Sequence, residues 1–387
     1  MKKKQIINFF LPIFVVLLIV IGIISFPEKS INSAKNGFRI WYDILIPSLL
    51  PFIICANLIV ELKLVDIIGF IINPITNLLF RVSGKSALVF VISMFSGYPI
   101  GTKLASELRN KNEISKDEAQ RLVSFCSTSG PLFIIGSVAT GMFLNEKLGY
   151  LMLLSHYLGA LTVGIIFRNY GNSDIKNNNS SLRYVIKNSI KLKNNKSFFV
   201  LFGNSIFNAL NTILMVGGFV ISFSVVFEIL SLFRVIDFLT NIVYIPFSFF
   251  NITKETCTAF ISGIFEITIG CSKLSSITSS SEVIKVSLAS FLIGFSGISI
   301  LAQCCSFLAN TDININMYIL SKFLHGIFAS IFTFILYSTS NLSKSVSTFY
   351  SNFSLIDFSY YKIYTYIILL IIIMLLMIEN INIKKES

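Results

Sequence analysis

A short stretch of small, polar and helix-breaking residues interrupts an apolar run near position 100. It reads Phe-Ser-Gly-Tyr-Pro-Ile-Gly-Thr-Lys over residues 95–103, and its candidate substrate-binding residues are Ser96, Gly97, Tyr98, Pro99, Gly101 and Lys103. Two glycines and a proline do not continue a regular helix. A helix restarting after Pro99 would present free N–H groups that bind anions, with Lys103 adding a positive charge. The alternative is a helix end whose Lys103 extends to the membrane interface.

A second candidate group consists of three hydroxyl side chains that precede a Gly-Pro pair. Ser127, Thr128 and Ser129 stand directly before Gly130 and Pro131, at the start of the next apolar run. Hydroxyls at such a position cap a helix start, and they equally donate hydrogen bonds to a ligand lying across that start. The sequence leaves both interpretations open.

The third candidate group is built around an acidic residue in an apolar environment. Glu266 lies between apolar neighbours in the stretch 263–270, and Thr268 and Gly270 follow it. An ionisable residue at membrane depth is costly and is a functional-site hypothesis by default. The alternative is a segment that lies at the interface, where Glu266 would be hydrated.

The last candidate group is Ser296, Gly297 and Gln303. Polar side chains of this kind also join helices by hydrogen bonds inside membranes, and that alternative stays open. His325 is interpreted as a histidine that packs between helices. Neither the two histidines nor the six cysteines have metal-ligand spacing, so we predict no metal site, and we read the cysteines as small core residues.

Composition predicts a membrane protein. Of the 387 residues, 54% are hydrophobic and 13% are charged, and the mean hydropathy is +0.78, whereas soluble domains carry about 25% charged residues. Uncharged runs such as 5–26 and 198–227 supply the roughly 20 residues that a helix needs to cross the hydrocarbon core. They lack the strict alternation of a membrane barrel, so we predict an all-α polytopic transmembrane helical bundle surrounded by the lipid bilayer. The first run is interpreted as a retained span, because no small-residue cleavage site follows it.

Hydropathy predicts apolar spans, several of which are too short or too interrupted to cross alone. They cover residues 5–26, 41–62, 64–81, 86–101, 128–145, 148–168, 198–230, 232–250, 256–271, 284–308, 314–338 and 361–378. In lipid, a broken helix persists only where protein or a water-filled cavity satisfies the freed backbone groups. The interruptions at Pro74 and Pro99 are therefore informative. The charged stretch 111–121 is interpreted as a solvated helix face.

An internal echo suggests a duplication. The tripeptide Phe-Ser-Gly at 95–97 recurs at 295–297, an offset of 200 residues; chance agreement is the alternative. Weak symmetry with interrupted segments at matching positions points to a transporter's binding site. We predict an N-terminal helix and loop at 1–39, repeats at 40–168 and 198–340, a basic cytoplasmic loop at 169–197 between them, and a C-terminal helix and tail at 341–387. Parallel and inverted repeats both stay open.

The formal net charge of +12 is interpreted as membrane topology. Lysine and arginine collect in cytoplasmic loops, and the loop 169–197 carries six basic residues against one aspartate. We therefore place this loop and both chain ends in the cytoplasm. Nucleic acid is not an expected partner, because the basic residues lack interleaved aromatics and a folded platform.

Several motifs, taken together and in order over most of residues 38–338, resemble one family. They are the stretch 41–61 beginning Trp-Tyr-Asp-Ile-Leu-Ile-Pro, Ser-Gly-Tyr-Pro-Ile-Gly-Thr-Lys at 96–103, Glu-Ala-Gln-Arg-Leu-Val-Ser-Phe at 118–125, Pro-Leu-Phe-Ile at 131–134, Phe-Glu-Ile-Thr-Ile-Gly at 265–270 and Leu-His-Gly-Ile-Phe-Ala at 324–329. The chain thereby resembles the sporulation integral membrane protein family called YlbJ or SpoVV. That family is distantly similar to the gate, or nucleoside-recognition, domains of concentrative nucleoside transporters and ferrous-iron transporters. The resemblance implies two gate-like repeats with broken or re-entrant helices. One departure is that the family has asparagines before the proline, where this chain has Ser127–Gly130.

The resemblance implies a transporter, not an enzyme, that moves dipicolinic acid across the outer forespore membrane of a sporulating bacterium. Dipicolinate is a planar dianion, so a helix N-terminus and a fixed cation suit it. On this hypothesis Lys103, Ser96 and the hydroxyls at 127–129 hold the carboxylates. Glu266 carries a coupling proton or pairs with Lys103. No organic cofactor is expected, the coupling ion is H⁺ or Na⁺, and the oligomeric state is left open.

Three other functions compete with this one. A nucleoside or another small polar solute would suit Glu266 and Gln303 better than Lys103. A non-transporting membrane component of a sporulation assembly would need neither Glu266 nor Lys103. A membrane-embedded hydrolase using Ser96 or Ser296 is disfavoured, because no histidine lies near either serine in the sequence.

Overall fold

The computed structural model describes residues 3–62, 73–171 and 197–340, and within them the chain is helical with no strand. Two of its helical segments are π-helical, the turn Ile40–Leu45 and the helix Leu132–Met142. The helices are α1 Lys3–Ser25, α2 Pro27–Arg39, α3 Ile46–Glu61, α4 Asn73–Phe80, α5 Gly84–Ser96, α6 Ile100–Asn110, α7 Lys116–Cys126, α8 Leu132–Met142, α9 Glu146–Phe167, α10 Phe198–Leu232, α11 Val235–Ser248, α12 Lys254–Phe265, α13 Ile267–Ser276, α14 Glu282–Phe295, α15 Gly297–Leu308 and α16 Ile315–Thr339. The predicted span 361–378 and most of the basic loop lie outside the described residues.

The helix lengths confirm the predicted membrane bundle. Among the described residues, α9, α10, α16 and the pair α14–α15 are long and apolar enough to cross a membrane. Two further apolar pairs are sharply bent: α1 and α2 meet at 107°, and α4 and α5 meet at 91°. The first bend follows from Pro27, which opens α2 at a position where a proline is tolerated.

The helices α5 and α6 form a re-entrant hairpin. Near its tip, a Cβ atom on Gly101 would lie 2.5 Å from the Ser93 hydroxyl, so the two arms run side by side in opposite directions. At its base, the Ser83 backbone N–H donates to Glu118 of α7 at 2.8 Å, and a short turn joins α6 to the start of α7. Both ends of the hairpin therefore lie at one face of the protein, called face A here.

The helices α12 and α13 form a second hairpin with the same design. Close to its tip, Lys273 Nζ donates to the Ser262 hydroxyl at 3.0 Å, and a Cβ atom on Gly270 would lie 2.2 Å from the Cα atom of Gly263. At its base, the hydroxyls of Thr256 and Ser280 are 2.7 Å apart. This hairpin also returns to the face from which it enters.

Each hairpin is followed by a broken spanning helix. The pair α7–α8 is interrupted at residues 127–130, and the pair α14–α15 is interrupted at Ser296, whose φ is +75°. The predicted apolar spans at 256–271 and 284–308 contain breaks at Glu266 and at Ser296, in agreement with the predicted broken or re-entrant helices. No proline marks either break, so hydropathy alone does not reveal them.

The two spanning helices that follow, α9 and α16, run in opposite directions. The start of α7 contacts the end of α9, where Arg121 donates to the Tyr170 carbonyl at 2.7 Å. It also contacts the start of α16, where Gln120 accepts from the Asn314 N–H at 2.7 Å. The end of α9 and the start of α16 therefore lie together at face A, so the two helices are antiparallel.

The elements α5–α9 and α12–α16 thus form two inverted repeats. Each consists of a hairpin, a broken span and a full span, and the second enters from the opposite face, called face B here. At face B, Tyr337 near the end of α16 donates to Glu282 at the start of α14 at 2.6 Å. Both sets lie inside the predicted halves 40–168 and 198–340, whose boundaries stay a prediction. Inverted repeats of this kind are characteristic of secondary transporters.

The register of the predicted duplication is wrong. The offset of 200 residues pairs Gly97 with Gly297. Gly97 belongs to the tip of a hairpin, whereas Gly297 begins the second half of a broken span. The element order instead pairs the tip at 97–99 with Glu266 and pairs His156 of α9 with His325 of α16, an offset of 169 residues.

The expected solvated face at 111–121 is also partly wrong. Glu118 and Arg121 are buried. The Glu118 carboxylate accepts from the Ser83 N–H and from the Ser86 hydroxyl at 2.6 Å. It thereby satisfies donors at the start of α5, as a carboxylate at a helix N-terminus does. Lys111, Lys116 and Glu113, which pairs with Lys85 at 2.8 Å, keep the exposed character expected of this stretch.

The main hydrophobic core lies between the repeats. Its fully or nearly fully buried members include Ile100 of α6, Leu122 of α7, Leu301 of α15 and Tyr318 of α16. Because this core joins elements of both repeats, it holds the breaks in the first repeat against α15 and α16.

Candidate functional site

A fully buried lysine lies at the centre of the described structure. Lys322 of α16 has no exposed surface. Its Nζ donates to the Ser127 carbonyl at 2.7 Å and lies 3.2 Å from His325 Nδ1. It also lies 4.9 Å from the centre of the Tyr98 ring, at cation–π distance. Among the described residues, no carboxylate lies within ion-pair distance of this lysine.

Two buried histidines adjoin the lysine where α9 crosses α16. The rings of His156 and His325 lie 4.4 Å apart. His325 Nε2 is 2.9 Å from the His156 carbonyl, and His156 Nε2 accepts from the Ser129 N–H at 2.8 Å. These contacts assign the His325 proton to Nε2 and the His156 proton to Nδ1. His156 Nδ1 has no hydrogen-bond partner among the described residues.

The two breaks in the first repeat meet beside this cluster. Gly97 has φ +77°, and a Cβ atom there would lie 2.9 Å from the Gly130 backbone nitrogen. Only glycine allows both this conformation and this approach. The Ser93 and Thr128 hydroxyls are 3.1 Å apart across the same contact. The Tyr98 hydroxyl donates to the Ile293 carbonyl of the second repeat, so the hairpin tip joins the two repeats.

The breaks in the second repeat also meet. Glu266 is buried, and its Oε2 accepts from the Ile269 N–H at 2.8 Å. It thereby caps the start of α13. Gly297, with φ +67°, packs against the carbonyl of Gly263. Here Glu266 satisfies donors that the break exposes.

A polar cavity of about 290 Å³ opens beside α6, towards face A. Lys103 Nζ donates to the Thr212 hydroxyl of α10 at 2.9 Å and lies 3.9 Å from Glu107. The cavity is lined by α3, α6, α10 and α15, with polar residues Asn57, Glu61, Lys103, Glu107, Lys111, Asn208, Asn211 and Thr212. The cavity therefore offers two ammonium groups, two carboxylates and several neutral amide and hydroxyl groups.

The structure divides the predicted site residues into separate groups. Ser96, Gly97, Tyr98 and Pro99 meet Ser127, Thr128 and Ser129 at the buried centre, whereas Lys103 lies in the cavity beside α10. Gly101 packs its Cα against the carbonyl of Cys126, so protein atoms already face the first turn of α6. The predicted pairing of Lys103 with Glu266 is absent among the described residues, because each has other partners.

The remaining predicted residues belong to the second repeat. Gln303 of α15 is buried, and its Nε2 has no hydrogen-bond partner among the described residues. Ser296 donates its hydroxyl to the adjacent Phe295 carbonyl. Gly270 lies against Gly263 inside the second hairpin. None of these three adjoins the cavity that holds Lys103.

Sequence reasoning missed Lys322. It stands in the apolar run 314–338, and an ionisable residue inside a span is a functional-site hypothesis by default. The criterion that selected Glu266 therefore applies equally to Lys322. His156 was likewise set aside with the metal-site hypothesis, although its role here depends on hydrogen bonds rather than on metal ligation.

Comparison with known proteins identifies the family. The Gate family, described as nucleoside recognition, matches residues 44–143. The "Sporulation integral membrane protein YlbJ" of Bacillus subtilis (strain 168) is 36% identical over 324 residues, which cover 81% of this chain and 79% of the relative. The chain belongs to the YlbJ family. No solved structure matches it.

The Gate match covers only part of the YlbJ-family fold described above. Residues 44–143 include Lys103 and the break at 127–130. The helices α9 and α16, with His156, Lys322 and His325, lie beyond it. This chain is thus an integral membrane protein of a sporulation family, with a Gate-family match that extends from the turn before α3 to the end of α8.

Proposed function

We propose that this protein is a transporter of a small anionic solute, and that the solute is dipicolinate, moved across the outer forespore membrane during sporulation. The YlbJ family membership supports a role in sporulation at a membrane. The substrate and the membrane are the proposal.

The inverted repeats support transport over a purely structural role. Transporters of this architecture bind their substrate where discontinuous helices of the two repeats meet, and they alternate access by moving one part against the other. Here each repeat carries a re-entrant hairpin and a broken span. A scaffold protein in a membrane has no need of buried helix breaks, which require compensating partners.

The observation that carries the proposal is the polar cavity beside α6. Its volume of about 290 Å³ is close to the lower end of the range for small-molecule sites, roughly 300–1,000 Å³. Lys103 lies in its wall, and Glu107 is only loosely paired with it, 3.9 Å away. A carboxylate of the ligand can therefore replace Glu107 as the partner of Lys103 and form a charge-assisted hydrogen bond.

The rest of the cavity wall suits an aromatic dicarboxylate. Asn208 and Asn211 of α10 supply amide donors for the second carboxylate, and Met215 and Phe307 supply an apolar surface for the ring. Lys111 adds a second positive charge at the mouth of the cavity. Face A also carries the ends that join the basic loop 169–197, which we predict to be cytoplasmic, so the described state is open towards the cytoplasm.

The test is the dipicolinate content of spores from a deletion strain complemented with variants. We expect low content in the deletion strain that external dipicolinate does not restore, because the defect lies in transport and not in synthesis. Lys103→Gln should lower the affinity for dipicolinate about ten- to hundredfold, since a hydrogen bond to a charged group contributes about 1.5–3 kcal/mol. The matched control is Lys147→Gln, an exposed lysine at the start of α9. Normal content in the deletion strain would overturn the dipicolinate assignment.

A second candidate substrate is a nucleoside. The description of the Gate family as nucleoside recognition and the amides and carboxylates in the cavity favour it, because neutral sugars and bases bind such groups. Competition separates the two candidates. If excess nucleoside, and not another dicarboxylate, blocks uptake of labelled substrate into proteoliposomes, the nucleoside is the substrate.

A further inference from the structure

The central lysine cluster has features that the proposed substrate cavity does not use. Lys322 lies on α16, and its partners come from three other elements: the Tyr98 ring at the hairpin tip, the Ser127 carbonyl at the break of α7–α8, and His156 of α9 through His325. Transport by rocking or gating requires relative movement of such elements. Lys322 contacts two of these elements directly and the third through His325, so their relative movement changes the surroundings of its amine.

The partners of Lys322 satisfy both protonation states of its amine. A neutral amine has two N–H groups, which match the Ser127 carbonyl and the lone pair on His325 Nδ1. An ammonium group has a third, which faces the Tyr98 ring. Gaining or losing a proton therefore leaves no donor unsatisfied and requires no change of partners.

The ammonium form of Lys322 has no compensating anion among the described residues. A buried ammonium requires a paired charge to offset its loss of hydration. Within the part of the chain that the structure describes, the titratable groups that face Lys322 are His156, His325, Tyr98, Tyr318 and the thiols of Cys126 and Cys304, and none of these is a carboxylic acid. An anion that enters the protein would supply the missing charge. Anion binding and protonation of Lys322 would then favour each other, as thermodynamic linkage requires.

We propose that Lys322, positioned by His325 and His156, is the proton-binding group that couples a proton to the movement of the anionic substrate. This inference rests on the proposed function. When the dianion binds, the neutral Nζ takes one proton from water on that side and becomes an ammonium. When the dianion leaves on the other side, the ammonium returns the proton to water there. Only an N–H bond forms and breaks, and each cycle carries one proton with one substrate molecule.

The experiment compares two modes of dipicolinate movement in proteoliposomes with the membrane potential clamped. Exchange of labelled for unlabelled dipicolinate needs no net proton transfer, whereas accumulation driven by a pH gradient needs it. With one proton per substrate, a gradient of one pH unit supports about tenfold accumulation. We expect Lys322→Gln to abolish this accumulation and to retain exchange, and Lys147→Gln to behave like the wild type.

Lys322→Arg provides a second variant in case the glutamine variant does not fold. Arginine keeps the charge and the donors but does not release a proton in this pH range, so exchange should again persist without accumulation. A merely structural role would lower exchange and accumulation together. The inference would be overturned if both variants lost exchange and accumulation together. It would also be overturned if either variant still accumulated dipicolinate in the pH gradient.

The wild type separates the two proposals. Wild-type protein that exchanges dipicolinate but does not concentrate it in a pH gradient overturns the coupling and leaves the proposed function standing. Wild-type protein that moves no dipicolinate in either mode overturns the proposed function and the coupling with it.

Discussion

At the scale of single residues, the contact between Gly97 and Gly130 decides how the first two breaks pack. Gly97 has φ +77° and ψ −172°, a region that is essentially restricted to glycine. We expect Gly97→Ala to lower the stability by about 1–3 kcal/mol from backbone strain alone, and more because the new Cβ would press on the Gly130 nitrogen. The measurement is the thermal unfolding temperature in detergent together with transport.

The control for this prediction is Gly203→Ala in α10. No atom lies within 4 Å of a Cβ placed on Gly203, and alanine favours a helix by about 1 kcal/mol over glycine. We therefore expect unchanged or slightly raised stability. Equal unfolding temperatures for the two variants would contradict the assigned role of the Gly97–Gly130 contact.

Residue types predicted some of the site and not the rest. The break at Ser96–Pro99 was predictable because glycine and proline disrupt helices wherever they stand in a span. The sequence could not predict that Lys103 lies in a cavity with α10, apart from Ser127–Ser129, because it does not specify which helix packs against α6. Lys322 was detectable as an ionisable residue in an apolar run, but its partners other than His325 come from residues 98–156, far away in the chain.

At the scale of helices, the turn between α15 and α16 is tied to the first hairpin. Arg109 near the end of α6 bonds to both carboxylate oxygens of Asp312, at 2.8 and 2.9 Å. These hydrogen bonds from Arg109 hold the pKa of the Asp312 carboxyl below its usual value. The pair is partly exposed, so we expect a contribution of only about 0.5–1 kcal/mol.

The sign of the pH dependence follows from the lowered pKa. A carboxyl with a lower pKa in the native state stabilises the fold above its unfolded-state pKa of about 3.9, and this contribution is lost as the pH falls through the native value. In a double-mutant cycle with Arg109→Gln and Asp312→Asn, the coupling energy should be present at pH 7 and much smaller near pH 3. A coupling energy that does not change between these pH values would contradict the ion pair.

Helix existence was predictable, and helix continuity was not. The predicted spans 198–230 and 314–338 correspond closely to α10 and α16, because long apolar runs specify membrane helices. The apolar runs also predicted the spans at 256–271 and 284–308, but they did not locate the breaks within them. Their interruptions at Glu266 and Ser296 depend on packing against each other through Gly263 and Gly297, and such a contact is not visible in hydropathy.

At the scale of the whole molecule, the inverted repeats fix which loops share a face. The turns at 111–115 and 309–314 belong to face A, whereas the turns at 143–145 and 277–281 belong to face B. In a cysteine-free background, Asn112→Cys and Asp312→Cys should react with an impermeant thiol reagent from one side of the membrane. Asn145→Cys and Ser279→Cys should react from the other. Labelling of Asn112→Cys and Ser279→Cys from the same side would contradict the inverted arrangement.

The antiparallel relation of the repeats could not be derived from the sequence. The repeats have diverged so far that a chance tripeptide at an offset of 200 residues was a clearer signal than the true correspondence at 169. The fold preserves the order of elements, and at the offset of 169 residues only scattered identities remain. They include Ile92-Ser93 with Ile261-Ser262, Ile100-Gly101 with Ile269-Gly270, and His156 with His325.

The long helix α10 contacts the returning arms of both hairpins, and each arm carries a lysine. Lys103 bonds to Thr212, and Lys273 lies 5.0 Å over the Phe227 ring, positions about 22 Å apart along a helix that rises 1.5 Å per residue. If the two halves exchange conformations, the cavity beside Lys103 closes while an equivalent one opens beside Lys273. The two end states would then share one architecture and differ little in intrinsic free energy, so the direction of net flow would be set by the solute and ion gradients and not by the protein.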